Sequence, residues 1–222
     1  MLSAIFFDLD GTLTNTDTLH FHTWQTALQE LNMAIDRAFY DSRISGRLNE
    51  QIVQDILPQL PLKEGLEVAE AKEAQFREKA TQLEPLPGLL KLLKWIEKQE
   101  LKQAVVTNAP RSNAEFMLNA LQLNTVFPIV ILAEEADSGK PHPAPYLLAL
   151  HKLGVPAQEV IAFEDSPSGV ASAVSAGIQT FGIASTHDPK DLLEAGAKKV
   201  FFDFTDESLW DFLFTVMKNR NS

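Results

Sequence analysis

Six short apolar runs, separated by stretches with helical periodicity, dominate the hydrophobic pattern of the 222-residue chain. Continuous apolar runs of this length are typical of strands that are buried on both faces, as in parallel sheets. Strands that alternate with helices predict an open α/β sheet with right-handed crossovers. The predicted strands cover residues 4–7, 103–106, 129–133, 160–163, 180–183 and 200–204. The pattern therefore predicts a Rossmann-like parallel sheet core.

Two stretches between the predicted strands repeat apolar residues with the i, i+3, i+4, i+7 spacing of an amphipathic helix. They contain Leu89, Leu92, Leu93 and Ile96 in the first, and Tyr146, Ala149, Leu150 and Leu153 in the second. A third helix is indicated after residue 165, because Ser166 is a good N-cap, Pro167 suits the first helical position and Gly177 suits the end.

The first crossover is far longer than a normal connection, since about 95 residues separate the first two strands. Most of this stretch is itself helical in pattern. The stripes contain Trp24, Ala27, Leu28 and Leu31, then Ile52, Ile56 and Leu57, and then a long helix predicted over residues 66–83. We therefore predict an all-helical domain, residues 16–83, inserted after the first strand of an α/β core formed by residues 1–15 and 84–222. The departing linker is residues 13–15, and the proline-containing return linker is residues 84–88.

Composition and charge limit the kinds of partner that the chain is expected to bind. The chain has 19 basic and 30 acidic residues, a formal net charge of −11, and no cysteine. The negative charge argues against a nucleic-acid partner, and the lack of cysteine excludes disulfides and thiolate metal sites. No apolar run reaches the roughly 18 residues of a membrane span, and the amino-terminal segment does not resemble a signal peptide. We expect a cytoplasmic monomer or weak dimer that acts on a small molecule.

Polar residues follow four of the predicted strands, at the edge where open α/β sheets bind ligands. They are Asp8 and Asp10, then Thr107 and Asn108, then Lys140, and finally Glu164 and Asp165. Carboxylates are ligands that Mg²⁺ prefers, together with phosphate oxygens and water. Lys140 can pair with a carboxylate and an incoming phosphate, and Thr107 can donate a hydrogen bond to a phosphoryl oxygen. The set predicts a divalent-metal phosphate site.

A carboxylate can also attack phosphorus and form an aspartyl-phosphate. Asp8 is the better candidate for this nucleophile because it lies directly at the tip of a strand. Asp10 lies two residues further on, from where it can protonate the leaving oxygen and later activate water.

The residues at the four strand ends resemble the motifs of the haloacid dehalogenase superfamily. These are Asp8-Leu9-Asp10-Gly11-Thr12, Thr107-Asn108, Lys140-Pro141 and Glu164-Asp165, in that order. The resemblance extends over nearly the whole chain, and it implies that the helical insertion is the family's cap, which closes over the site and expels water.

The resemblance also implies a role for each core residue. Asp8 would be the nucleophile and Asp10 the general acid/base, while Thr107 binds phosphate and Lys140 orients both. Mg²⁺ would be held by Asp8, by the backbone carbonyl of Asp10, by Asp165, and by Glu164 directly or through water. Since Asp10 and a metal-binding acid pair are both present, phosphoryl transfer is favoured over dehalogenation.

Asn108, directly after Thr107, is a candidate for substrate contact, and so are three residues of the insertion. His20 lies four residues before Trp24 and is either a core histidine or a residue on the underside of the cap; Thr16 and His20 together resemble the β-phosphoglucomutase branch. Lys72 either points out to solvent or into the cleft. Arg47 follows Gly46 in a loop between helices and offers a forked donor for phosphate or carboxylate.

The leading hypothesis is a Mg²⁺-dependent phosphatase that hydrolyses a small phosphate monoester, such as phosphoglycolate or a sugar phosphate. The alternative is a phosphohexomutase of the β-phosphoglucomutase type. Three departures weigh against it. Asn49 stands where the mutase places its cap arginine, Thr12 stands where it tends to have valine, and Thr107 stands where it has serine. A remote alternative is a signalling module that accepts a phosphoryl group without turnover, although such modules are about half this length and lack the insertion.

Overall fold

A parallel sheet of six strands forms the centre of the computed structural model, which describes residues 1–218. The strands are β1 Ala4–Phe7, β2 Lys102–Thr107, β3 Val130–Leu132, β4 Val160–Glu164, β5 Gln179–Ile183 and β6 Val200–Phe201. Their order across the sheet is β3-β2-β1-β4-β5-β6, and every neighbouring pair is parallel. All six predicted strands are present, so the predicted α/β fold class is confirmed.

Ten α-helices accompany the sheet within these residues. They are α1 Asp17–Gln29, α2 Arg37–Arg43, α3 Asn49–Ile56, α4 Leu62–Lys79, α5 Leu89–Lys98, α6 Arg111–Ala120, α7 Ala144–Leu153, α8 Pro167–Ser175, α9 Pro189–Glu194 and α10 Glu207–Lys218. Four of them, α1 to α4, belong to the long insertion between β1 and β2. Across residues 1–218, no helix has both the length and the apolar character that a membrane span requires.

The central strand shows how the sheet is buried on both faces. Successive side chains of a strand point to opposite faces. Ile5 and Phe7 join an apolar cluster with α5, α6 and α10, whereas Ala4 and Phe6 join a second cluster with α7 and α8. Because both faces are covered by helices, β1 is apolar and buried along its whole length.

The insertion has an apolar cluster of its own, which contains Trp24, Leu28, Tyr40, Ile52 and Ala69 among others. The two predicted linkers lie side by side, since the backbone N–H of Leu86 donates to the carbonyl oxygen of Leu13 at 2.9 Å. The chain therefore leaves the core and returns to it at adjacent points. The division at residues 16 and 83 remains a prediction.

Some predicted boundaries are wrong. Helix α4 begins at Leu62 and ends at Lys79, so each end lies four residues earlier than in the predicted helix, residues 66–83. Ala80 and Leu83 lie beyond the end of this helix but still pack on the core, so their apolar spacing does not mark a helix. Leu31 lies beyond the end of α1 and is 37% exposed, so it is not part of the buried stripe.

The sixth strand also ends earlier than predicted, at Phe201. The chain turns at Asp203, whose side chain accepts a hydrogen bond from the backbone N–H of Thr205. Phe204 is nevertheless completely buried in the main apolar cluster. Its apolar character therefore reports burial in a loop and not a strand.

Candidate active site

The carboxyl ends of three adjacent strands bring the predicted core residues together. Asp8 follows β1, Thr107 ends β2, and Glu164 ends β4 with Asp165 next to it. In the sheet, β1 lies between β2 and β4. The chain order reverses direction across β1, and open α/β sheets bind ligands at such a point.

Lys140 lies at the centre of this group. Its Nζ donates hydrogen bonds to Oδ1 of Asp8 at 2.6 Å, to Oε1 of Glu164 at 2.6 Å and to the carbonyl oxygen of Val106 at 2.7 Å. The side chain is only 3% exposed. Burial disfavours the charged ammonium, but the Asp8 and Glu164 carboxylates outweigh it and raise the pKa of Lys140. The ammonium therefore stays charged and holds two strand ends together.

Three buried carboxylates crowd around this lysine. Asp8, Glu164 and Asp165 each place an oxygen within 4.8 Å of the others. Burial raises the pKa of Asp165 well above its ordinary value, and the negative charges of Asp8 and Glu164 raise it further. Burial also raises the pKa of Glu164 to about 7. The single positive charge of Lys140 therefore does not neutralise all three acids in this buried environment.

A divalent cation fits this deficit of positive charge. Oε2 of Glu164 is buried and has no hydrogen-bond partner among the described residues, while Oε1 is fully occupied by Lys140 and by the Tyr146 hydroxyl at 2.5 Å. Mg²⁺ binds such hard carboxylate oxygens and neutralises clustered acids. Asp8, Glu164 and Asp165 therefore form a candidate metal centre.

Two glycines make room for these acids. A Cβ at Gly11 would lie 2.1 Å from Oδ2 of Asp165, and Gly11 has a φ of +85°, which disfavours any other residue. A Cβ at Gly169, in α8, would lie 1.9 Å from Oε2 of Glu164. Both close approaches mean that the acids occupy space that a side chain would otherwise fill.

Replacing Gly169 with Ala is expected to destabilise the protein. Alanine favours a helix over glycine by about 1 kcal/mol, but overpacking against Glu164 costs about 1–3 kcal/mol and displaces that carboxylate. Urea unfolding is expected to show a lower free energy of unfolding than the wild type. Ser175→Ala, at an exposed position of the same helix, is the control and is expected to change little. Equal stability of Gly169→Ala and the wild type would contradict the packing argument.

Asp10 points towards the insertion and not towards Lys140. Its Oδ1 accepts hydrogen bonds from Oγ1 of Thr16 at 2.6 Å and from Nε2 of His20 at 3.2 Å. Burial raises the pKa of Asp10, but these two hydrogen bonds and the nearby positive charge of Lys72 together outweigh it and bring the pKa below its ordinary value. Asp10 is therefore held as a carboxylate, the form that can accept a proton.

His20 and Lys72 form a chain of contacts behind Asp10. Nζ of Lys72 lies 2.7 Å from Nδ1 of His20. Because an ammonium can only donate, Nδ1 is the acceptor, and the ring hydrogen is on Nε2, where it faces Asp10. His20 also stacks on Phe76, with ring centroids 4.1 Å apart. Lys72 is buried and points into the cleft, so of its two alternatives the structure shows the inward one.

Arg47 lines the same cleft, but its guanidinium is occupied by other residues. Nη1 donates to the carbonyl oxygen of Arg43 and to Oδ2 of Asp55, both at 2.7 Å. Arg43 binds the same Asp55 carboxylate. A substrate contact by Arg47 remains a prediction.

The second motif connects the core to the insertion. Asn108 accepts a hydrogen bond from the backbone N–H of Lys140 at 3.0 Å and donates to the carbonyl oxygen of Gly46 at 3.2 Å. Ser168 donates to the same Gly46 oxygen, also at 3.2 Å. Thr107 is buried beside Asn108 and lines the cleft. The loop between α2 and α3 thus lies against the core, directly over the site.

Sequence reasoning missed several residues of the site. They are Glu73, Asn113 and Thr186, which line the cleft, and Tyr146 and Ser168, which contact Glu164 and Gly46 beside it. Thr186 donates a hydrogen bond to the Asp165 carboxylate. Tyr146 was predicted as part of an apolar stripe, and its ring is indeed buried, but its hydroxyl binds Glu164. The position of Ser168, two residues after Ser166 and close to the fourth motif, was a weak indication that it belongs to the site. The others have no signal that separates them from ordinary helix or loop residues.

Comparison with known proteins agrees with the geometry. The haloacid dehalogenase-like hydrolase family model matches residues 5–183. A phosphorylated carbohydrates phosphatase of Thermotoga maritima is 33% identical over 88% of this chain and 92% of its own. A β-phosphoglucomutase of Bacillus subtilis is 26% identical over 82% of this chain and 83% of its own. The structure of a hydrolase from Pseudomonas syringae superposes with a TM-score of 0.87 at 25% identity, over 97% and 99% of the two chains.

The chain therefore belongs to the haloacid dehalogenase-like hydrolase family, and the predicted resemblance is confirmed. It is an enzyme, and within the family it falls in the branch that contains sugar-phosphate phosphatases and β-phosphoglucomutases. The helical insertion corresponds to the cap of this family.

Proposed function

We propose that this enzyme is a Mg²⁺-dependent phosphatase that hydrolyses a small phosphate monoester through an aspartyl-phosphate. The observation that carries the proposal is the position of Lys140, whose Nζ lies 2.6 Å from both Asp8 and Glu164, beside Asp165. This arrangement pairs one candidate nucleophile with a fixed positive charge and a candidate metal centre. Phosphoryl transfer depends mainly on such positioning and charge neutralisation.

In the first step, an Asp8 carboxylate oxygen attacks phosphorus, and the bond from phosphorus to the ester oxygen breaks. Asp10 gives a proton to the leaving oxygen, so that an alcohol departs. Since the hydrogen bonds of Thr16 and His20 favour the Asp10 carboxylate, Asp10 must first take up this proton. Lys140 neutralises charge beside Asp8, and Thr107 donates to a phosphoryl oxygen.

In the second step, the Asp10 carboxylate removes a proton from water as the water oxygen attacks phosphorus. The bond between Asp8 and phosphorus breaks, inorganic phosphate leaves, and the Asp8 carboxylate is restored. Asp8, Asp165, the Asp10 carbonyl and Glu164 would hold Mg²⁺, which supplies positive charge to the phosphoryl oxygens when it is bound.

A sugar phosphate or phosphoglycolate is the proposed substrate. The phosphorylated carbohydrates phosphatase of Thermotoga maritima supports the first of these, since it is 33% identical to this chain. The cleft above Asp8 is lined by Trp24 and Tyr40 from the cap together with the side chain of Asn49. Aromatic faces and amide groups suit a small hydroxylated molecule.

A phosphohexomutase is the second candidate. The hydrogen bonds from Thr16 and His20 to Asp10 favour it, because these two residues carry the resemblance to β-phosphoglucomutase. In a mutase, the Asp8 phosphoryl group would pass to a second hydroxyl of the sugar instead of to water.

Phosphate release from a panel of esters is expected to separate the two candidates. The panel contains 2-phosphoglycolate, hexose 6-phosphates and β-glucose 1-phosphate with a trace of glucose 1,6-bisphosphate. With MgCl₂ we expect inorganic phosphate from at least one ester, and with excess EDTA a loss of at least about 100-fold in rate. Glucose 6-phosphate formed from β-glucose 1-phosphate without free phosphate would establish the mutase instead. Turnover that is unaffected by EDTA would contradict the metal requirement.

A further inference from the structure

A buried acid lies on the cap side of the cleft, where the leaving group of the substrate would be. Glu73 is 3% exposed and lines the cleft beside Lys72. Its Oε1 accepts a hydrogen bond from Asn49 at 2.9 Å, and its Oε2 accepts from Asn113 at 2.7 Å and from Lys72 at 3.1 Å. Burial raises the pKa of Glu73, but the positive charge of Lys72 and the hydrogen bonds from Asn49 and Lys72 outweigh it, so the group remains a carboxylate.

The cations that line this cleft are already paired with acids. Within residues 1–218, the lysine and arginine side chains that line the cleft are Arg47, Lys72 and Lys140. Arg47 is paired with Asp55 at 2.7 Å, and Lys72 with Glu73 at 3.1 Å. Lys140 is paired with both Asp8 and Glu164 and belongs to the reacting phosphate. A second anionic group on the substrate would therefore compete with a carboxylate for one of these cations.

The negative charge of Glu73 strengthens this conclusion. A second phosphate would lie near Glu73, whereas Asp17, which also lines the cleft, is paired with Arg37. Like charges brought together in a partly desolvated cleft repel strongly. Uncharged hydroxyl groups have no such conflict, because a carboxylate accepts hydrogen bonds from hydroxyls and the Asn49 amide can both donate and accept.

We propose that Glu73, supported by Asn49, determines the charge of the leaving group that the cleft accepts: a neutral, hydroxylated one is admitted, and one with a second phosphate or a carboxylate is excluded. The proposal rests on the phosphatase function proposed above and selects among its substrates. Sugar monophosphates are favoured over both 2-phosphoglycolate and sugar bisphosphates. The same exclusion argues against the mutase, because the bisphosphate intermediate of a phosphohexomutase carries two phosphates.

Matched pairs of esters test this proposal with the full-length enzyme and MgCl₂. The pairs are glucose 1-phosphate with glucose 1,6-bisphosphate, and fructose 1-phosphate with fructose 1,6-bisphosphate; 2-phosphoglycolate is measured alongside. For the wild type, kcat/KM is expected to be at least about 30-fold higher for the monophosphate of a pair. In Glu73→Gln this ratio is expected to fall at least about fivefold, mainly through a lower KM for the bisphosphate.

Two further variants keep the test decisive. Asn49→Lys places a cation beside Glu73 at a half-buried position. It is also expected to lower the ratio of kcat/KM for the monophosphate to kcat/KM for the bisphosphate. This variant tests the proposal if Glu73→Gln does not fold. Glu78→Gln, at an exposed position of the same helix, is the control and is expected to keep the wild-type ratio.

The outcomes distinguish this proposal from the one on which it rests. Phosphate release from both members of a pair at equal efficiency would overturn the charge selection and leave the phosphatase function standing. A wild-type ratio retained in Glu73→Gln, or in Asn49→Lys where Glu73→Gln does not fold, would show that Glu73 does not set it. Absence of phosphate release from every ester would overturn both proposals.

Discussion

Asp8→Asn is expected to lose phosphate release by at least about 10³-fold in kcat while the protein stays folded. An amide is not a nucleophile towards phosphorus, but it has nearly the size and shape of the carboxylate. Its oxygen can still accept the hydrogen bond that Lys140 Nζ now donates to Asp8. The substitution also removes one of three crowded negative charges, so we expect the protein to keep its fold.

Initial rates of phosphate release, together with circular dichroism, measure this prediction. Asp211→Asn lies on the exposed side of α10 and is the matched control, with wild-type activity expected. When the wild type is quenched in acid during turnover, we expect to find a phosphoryl group bound covalently to the chain. The same quench of Asp8→Asn is expected to show none. If Asp8→Asn released phosphate at the wild-type rate, Asp8 could not be the nucleophile.

Lys140→Met is expected to have the second large effect, on stability as well as on activity. The ammonium is 3% exposed and is bound by two carboxylates and one carbonyl oxygen. Methionine fills similar space without the charge, so Asp8, Glu164 and Asp165 lose their internal cation. Removing one partner of a buried ion pair costs about 3–5 kcal/mol. We expect the free energy of unfolding to fall by this amount in the absence of Mg²⁺, with kcat reduced at least about 10²-fold.

Mg²⁺ is expected to restore part of the lost stability. A cation that binds only the folded state stabilises it, and in the variant this cation would also replace the missing positive charge. Urea unfolding over a MgCl₂ series, at ionic strength kept constant with NaCl, is expected to show a larger gain for Lys140→Met than for the wild type. Lys94→Met, exposed on α5, is the control. Full stability of Lys140→Met without Mg²⁺ would mean that the acids are neutralised in another way.

The two glycines of the site illustrate how far the motif alone could be interpreted. Gly11 belongs to the first motif and could be expected in a turn, but the clash that a Cβ would make with Asp165 is visible only in three dimensions. Gly169 lies inside a helix, where the pattern predicts a mere weakening. Glycine is needed at this position because the carboxylate of Glu164, five residues away in the chain, occupies the space that a side chain would fill.

The sequence by itself determined the sheet, the long insertion and the gathering of the core motifs. Apolar runs report burial on two faces, and parallel strands all present their carboxyl ends at one edge, so Asp8, Thr107 and Asp165 had to converge. Only the tertiary structure decided the partners of the cap residues. Glu73 meets Asn113 forty residues away, and Arg47 is paired with Asp55. Such contacts depend on how separate helices pack and on which side chain reaches a partner first, and hydrophobic periodicity contains no record of either.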